Sequence, residues 1–242
     1  MGDAVLTIVV PPALTRAFAE EVAARLADLP GACRVVRFVG STPEIFSLGM
    51  DLEGFLRAGD DPSPAVGSIG DALVAIHQCD RPTLGIAQGQ VAGGGVGLLA
   101  ACDLVIASDD ATFGLPELLW GFVPAAIWPM ITARLGERRA RSWAVTAHSR
   151  GAAEALAGGL VDEVVPAADL DRAARRAARS LARIDPSAVG LLRSWSAEAP
   201  TLPVEAAIRK GARLSATQLN DPRVRARLQA YFLDGSLPWE AS

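Results

Sequence analysis

The chain is poor in the residues that hold metals, disulfides and polyanions. Its three cysteines, Cys33, Cys79 and Cys102, are odd in number, far apart and set among apolar neighbours. That excludes a disulfide framework and reads as reduced core residues. Histidine is nearly as scarce, with His77 and His148 the two examples, and no Cys/His/Asp group has a spacing that would hold zinc, so no metal is expected. Lys210 is the one lysine, arginine carrying the rest of the cationic charge. A formal net charge of −4 and a pI of about 5.3 give no overall attraction to nucleic acid or an anionic membrane, and neither is expected as a partner. The sequence has no run of about 18 uncharged apolar residues, the length a bilayer requires. Met1–Val10 lacks the basic start and long apolar stretch of a signal peptide. A cytoplasmic protein is the expectation.

What is present is a chain of 242 residues, 50% apolar and 21% charged, enough for a compact domain with a large core. Ala4–Val10 is a short β-rich run closed by Pro11–Pro12. Leu14, Phe18, Val22, Leu26 and Leu29 then recur at steps of three and four, as one buried helix face requires. Pro30–Gly31 breaks that helix and Cys33–Val39 is strand-like again, giving a β-α-β start with a parallel sheet. Gly59–Pro64 reads as a loop, followed by a helix carrying Ile69, Leu73 and Ile76. Thr83–Ala87 and Leu104–Ser108 read as buried strands around a small apolar helix at Val96–Ala101. From Ala125 the pattern turns helical, with helices expected over Ala125–Leu135, Glu137–Val145, Gly151–Ala157, Ala167–Ile184, Pro203–Gln218 and Pro222–Leu233. The short apolar piece Leu160–Val165 interrupts them.

Two stretches carry chemistry. Gly89-Gln-Val-Ala-Gly-Gly-Gly-Val-Gly97 falls between a strand and a helix, so its amides can crowd together and point at an anionic oxygen at the positive helix end. A purely structural tight turn is the competing reading, because the stretch lacks the Lys-Ser/Thr of a phosphate loop and the spacing of a dinucleotide fingerprint. The second stretch is Phe113-Gly-Leu-Pro-Glu-Leu-Leu-Trp-Gly121, with one carboxylate, Glu117, among apolar neighbours. Buried there, it would have a raised pKa and suit proton transfer near neutral pH. A surface glutamate at a helix N-terminus is the alternative.

Taken in order, several pieces resemble the crotonase (enoyl-CoA hydratase/isomerase) superfamily. They are Phe46-Ser-Leu-Gly-Met-Asp51, Gly93-Gly-Gly95, Ala101-Cys-Asp103, Ala111–Pro124 with its Pro116-Glu117 pair, and Ala153–Pro166. The resemblance implies an α/β spiral of ββα turns over residues 1–185 and a helical region for trimerisation over 186–242, in a homotrimer or hexamer. One strand before the first helix, where the family has more, is a departure. The resemblance also implies an oxyanion hole for an acyl thioester made by the backbone N–H groups of Met50 and Gly94, with Leu48, Gly93, Gly97 and Leu115 binding substrate. Such a hole acidifies the α-protons by holding the enolate oxygen, each donor contributing about 2.7–4 kcal/mol. No cofactor is implied, the CoA or acyl carrier protein arm being part of the substrate.

Hydratases of the family carry two catalytic glutamates. The second matches Glu117, and the first falls on Gly97, which cannot transfer a proton. One acid/base suffices for dehydration through an enolate or for moving a double bond. The wording around Pro43–Asp51 and Leu118–Ala125 is similar to the dehydratases of polyketide β-branching cassettes, which convert a 3-hydroxy-3-methylglutaryl group on an acyl carrier protein to 3-methylglutaconyl. The alternatives are a Δ3,Δ2-enoyl thioester isomerase, a methylglutaconyl decarboxylase and a non-catalytic binding subunit of the same fold. Asp51 is read as a helix cap, Trp128 and Met130 as core, and His77 and His148 as structural or solvated. Arg138, Arg139 and Arg141 are read as a solvated helix face or a docking site for an acidic carrier or a CoA phosphate.

Overall fold

The apolar runs become strands and the three-and-four periodicity becomes helix, much as the sequence spacing requires. A computed structural model of the chain describes residues 4–59 and 61–237. Val5–Val10 (β1) leads into Arg16–Ala27 (α1), capped by the Thr15 hydroxyl accepting from Phe18 N and burying Ala19, Val22 and Leu26. Val35–Gly40 (β2) returns parallel to β1, with Val5 opposite Val35. Each following turn of chain adds a strand to a large sheet, a short strand to a small one, and helical structure. Ile45–Ser47 (β3), Leu52–Ala58 (α2) and Ser63–Gln78 (α3) make one such turn; Thr83–Ala87 (β4), Gln90–Ala92 (β5) and Gly94–Ala101 (α4) make the next. Leu104–Ser108 (β6) and Thr112–Gly114 (β7) continue it through a 3₁₀ turn at Glu117–Trp120 into Trp128–Leu135 (α5) and Glu137–Thr146 (α6). Arg150–Gly151 (β8), Ala152–Gly158 (α7), Glu163–Val165 (β9) and Leu170–Leu181 (α8) complete it.

The large sheet has the order β1-β2-β4-β6-β9 and is parallel throughout; the small one has the order β3-β5-β7-β8, with its last pair antiparallel. This is the ββα spiral that the sequence leads one to expect. Parallel sheets carry helices on their faces, which is why β4 is buried at every position. Phe38, Leu84, Leu99 and Ile106 are fully buried, each side chain contributing about 1.5–3 kcal/mol over an exposed one. Asp103 ties two neighbouring strands at their starts, its Oδ2 accepting from Thr83 N at 2.7 Å and from Thr83 Oγ1 at 2.9 Å. Cys33, Cys79 and Cys102 are buried and in no disulfide. Among the described residues, no group of acidic, histidine or cysteine side chains could hold a metal ion, and no helix is long and apolar enough to cross a membrane.

The chain divides into two compact units, one running to Ala182 and one from Arg183 onward. The second consists of Pro186–Glu198 (α9), Val204–Leu219 (α10) and Pro222–Asp234 (α11), none of which buries a residue. The sequence reading differs in four places. It has no helix over α9, although α10 and α11, which likewise bury nothing, are expected from it, and none over α2, whose 7 residues make barely two turns. The strands of the small sheet are two or three residues long, too short for alternation to register. The loop expected over 59–64 already enters α3 at Ser63, and Asp60 lies outside the described residues.

Candidate active site

Three parallel strands of the small sheet end at the same edge, and each delivers one part of a common site. Ser47 stands opposite Val91, and Ala92 opposite Gly114. Beyond those pairs, β3 runs on to Leu48-Gly49-Met50, β5 to Gly93-Gly94 and β7 to Leu115-Pro116-Glu117. Ligands of open α/β sheets commonly sit outside the carboxyl ends of strands, where the chains diverge.

The first two strand ends bring backbone amides together. Leu14 pairs with the Met50 segment: Leu14 N donates to the Gly49 carbonyl at 2.7 Å and Asp51 N to the Leu14 carbonyl at 3.1 Å. Alternation along an extended chain then turns the Met50 N–H away from Leu14. Gly94 opens α4, where the first amides have no partner within the helix. A Cβ on Gly94 would lie 3.7 Å from Met50 N, so the two amides are close neighbours. Two glycines permit this. Gly49 has φ +93°, and a Cβ on it would stand 2.7 Å from Gly94 N; Gly93 has φ +49°, and a Cβ on it would stand 2.9 Å from Glu117 Oε1. Gly93 N donates to the Gly114 carbonyl at 3.0 Å, which ties the α4 start to the segment bearing Glu117. At the other end of α4, Arg134 donates to the carbonyls of Ala100 and Cys102 and to both carboxylate oxygens of Asp162. A cation suits that helix end. Asp51 caps α2, its Oδ1 accepting from Gly54 N at 2.9 Å.

The third strand end supplies the acid. Glu117 opens the 3₁₀ turn behind Pro116 and is 6% exposed, so the buried reading replaces the surface one. Its Oε2 is buried without a hydrogen-bond partner. Burial pushes its pKa above the usual glutamate value, partly offset by its own backbone N–H. A carboxylate held this way is poised to take up a proton.

Met50, Gly94 and Glu117 face one cavity of about 520 Å³, within the size range of small-molecule sites. Leu48 and Gly93 line it, together with Leu52, Phe55, Val66, Ile69, Trp120, Phe122 and Ile127. Glu117 is the one titratable side chain among the described lining residues. Two expected contacts differ. Gly97 does not line the cavity: a Cβ on it would lie 2.3 Å from Ile127 Cγ2, so Ile127 covers it. Leu115 does not line it either, being 1% exposed in the core beneath. The lining contributed by α2 and by Phe122–Ile127 was not foreseen; the signal for Ile127 was a glycine in a helix interior, which marks a close approach. Trp128 and Met130 pack against the core, while Arg139 reaches the Gly158 carbonyl and Arg141 pairs with Glu137.

This combination of spiral fold, paired amides and a buried carboxyl defines a class that comparison with known proteins makes specific. Residues 4–241 match the model of the enoyl-CoA hydratase/isomerase family. A carnitinyl-CoA dehydratase of Escherichia coli (strain K12) is 33% identical over 178 residues, covering 73% of this chain and 68% of the relative. Pseudomonas aeruginosa AtuE superposes with a TM-score of 0.88 at 26% identity, covering 99% of this chain and 96% of that one. An enoyl-CoA hydratase from Bacillus anthracis gives 0.85 at 25% identity, with 97% and 94% covered. The chain belongs to the enoyl-CoA hydratase/isomerase family, and with it to the lyases of the hydratase and dehydratase kind.

Proposed function

We propose that this protein dehydrates a 3-hydroxyacyl thioester through an enolate, with Glu117 as its single acid/base. The observation that carries the reading is a buried, unpartnered carboxyl in the cavity that also receives the Met50 and Gly94 segments. The thioester oxygen accepts hydrogen bonds from the Met50 and Gly94 amides. The Glu117 carboxylate takes the α-proton, and the C–H electrons move into the enolate, whose oxygen charge the two amides stabilise. The enolate then re-forms the carbonyl, a double bond forms between the α- and β-carbons, and the β-hydroxyl leaves. It takes the proton from Glu117 as it departs, giving water and returning the carboxylate. Met50 supplies only its amide, so its side chain is free to vary.

The lining favours an acyl group with an uncharged tail. The 3-hydroxy-3-methylglutaryl group on a carrier protein, dehydrated to 3-methylglutaconyl, is the finer candidate from sequence similarity. Its free carboxylate meets no cation among the described lining residues and would sit in apolar surroundings beside another acid. It therefore binds with that carboxylate outside the cavity or binds weakly. A second reading, the Δ3,Δ2-isomerase, is favoured by the same lone carboxyl, which would carry a proton from the α- to the γ-carbon. A silent binding subunit fits poorly, because a buried unpaired carboxyl costs stability and offers a binding fold nothing in return.

Mass spectrometry of uncharged 3-hydroxyacyl-CoA, 3-hydroxy-3-methylglutaryl-carrier protein and 3-enoyl-CoA, each incubated with the pure protein, tests these readings. Loss of one water from either of the first two supports dehydration; reaction of the third alone replaces it by isomerisation. Charge reversal at Arg138 and Arg141 tests delivery, since carrier docking predicts a larger fall with carrier protein than with CoA. Three buried cysteines outside any disulfide fit a cytoplasmic setting, and exposed Leu192, Ile208, Phe232 and Leu233 in the helices from α9 to α11 fit assembly into a trimer or hexamer.

A further inference from the structure

Gly97 stands in the interior of α4, where glycine is less stable than alanine, and it is fully enclosed. What requires it is Ile127. A Cβ on Gly97 would lie 2.3 Å from Ile127 Cγ2 and 2.5 Å from Ile127 Cβ. Turning the Ile127 side chain moves Cγ2 but leaves Cβ in place, so no rotamer relieves the second contact. Positions 97 and 127 therefore claim one volume between them. Ile127 is 4% exposed and lines the cavity that Glu117 faces, so the shared volume is part of the wall of the site. Residue 97 follows Gly94 by three positions, on the same face of the helix, so any side chain there would approach the paired amides.

We propose that Ile127 is a specificity-determining residue: by filling the volume over Gly97, it keeps a second acid, a second base or an ordered water out of that wall. The inference rests on the dehydratase reading. Its consequence is selection among thioesters. Only those whose α-proton and leaving group both reach Glu117 react, so both depart from the face that Glu117 occupies. A water would find no polar side chain on Ile127 to hold it.

The test pairs a thermal cycle with a pH–rate profile on the full chain. In the thermal cycle, Gly97→Ala overpacks the wall and lowers Tm by about 2–12 °C in the wild-type background, and by much less when Ile127→Gly, which removes the obstructing Cβ, is already present. An equal fall in both backgrounds overturns the steric exclusion. In the rate profile, kcat/KM of the wild type and of Ile127→Gly rises with pH through one ionisation and then levels. The double variant Gly97→Glu with Ile127→Gly gains a second ionisation, because the new carboxyl stands in the same cavity. A purely structural role for Ile127 would leave the number of ionisations unchanged, and that result, or two ionisations in the wild type, overturns the proposal. Absence of turnover in the wild type on every thioester would instead remove the reading on which the proposal rests, while the thermal cycle would still report on the packing.

Discussion

The two walls of the cavity are built in opposite ways. One is backbone: the Gly49–Met50 turn and the start of α4, fixed by the Leu14 pairing and by Gly93 N on the Gly114 carbonyl. The other is side chain: Glu117 and Ile127, fixed by burial. A backbone wall tolerates almost any residue that keeps the chain path, and is intolerant where a Cβ would obstruct it. A side-chain wall is intolerant at the residue that does the chemistry and at the neighbour that shapes its space. Substitutions that separate position from chemistry therefore sharpen the contrast.

The largest effect belongs to Glu117→Gln. It keeps shape and burial while removing the only titratable group of the described lining, so kcat falls by about 10²–10⁴-fold with the fold intact, read by steady-state kinetics and circular dichroism. Next is Gly93→Ala on the backbone wall. At φ +49° with ψ −119°, a Cβ strains the chain and pushes on Glu117 Oε1, so turnover falls about 10²-fold and denaturant unfolding loses about 1–3 kcal/mol. Equal activity in that variant would break the comparison, because the backbone wall would then not need its glycine.

Smaller effects separate stability from catalysis. Asp103→Ala removes the two hydrogen bonds that its carboxylate accepts from Thr83 and costs about 1–3 kcal/mol in urea unfolding, with kcat little changed. The smallest effect concerns pH. The folded-state pKa of Glu117 lies above its unfolded value, so the native state binds the proton more tightly. Its stabilising contribution is fully present below the unfolded pKa and is lost as pH rises through the folded one. The stability of the wild type relative to Glu117→Gln therefore falls across that window, and the variant gains on it at alkaline pH. Unfolding midpoints of the pair across the window check the sign.

Much of this was legible in the chain. Thr83–Ala87 and Leu104–Ser108 were readable as strands because central parallel strands are unbroken apolar runs, and the α1 stripe because one face alone is buried. The backbone wall announced itself through Gly93–Gly94, and Glu117 through its apolar neighbours. The side-chain wall was hidden where it depends on packing across sequence distance. Ile127 is an ordinary apolar residue in sequence, and only the fold seats it over Gly97. Leu115 shows the reverse: it adjoins Pro116-Glu117 in sequence, yet alternation along β7 turns it into the core. Strands such as β3 and β7 hold three residues each and carry no period that a sequence could display.

The central claim is that two amides on separate strand ends hold one thioester oxygen while Glu117 works on the carbon beside it. It is tested most directly by α-proton exchange in D2O, using a saturated acyl thioester that has no group to lose. The account predicts uptake of deuterium at the α-carbon with the wild type, and exchange reduced to the uncatalysed rate with Glu117→Gln. Exchange that persists undiminished in that variant, or none with the wild type at saturating thioester, would contradict it.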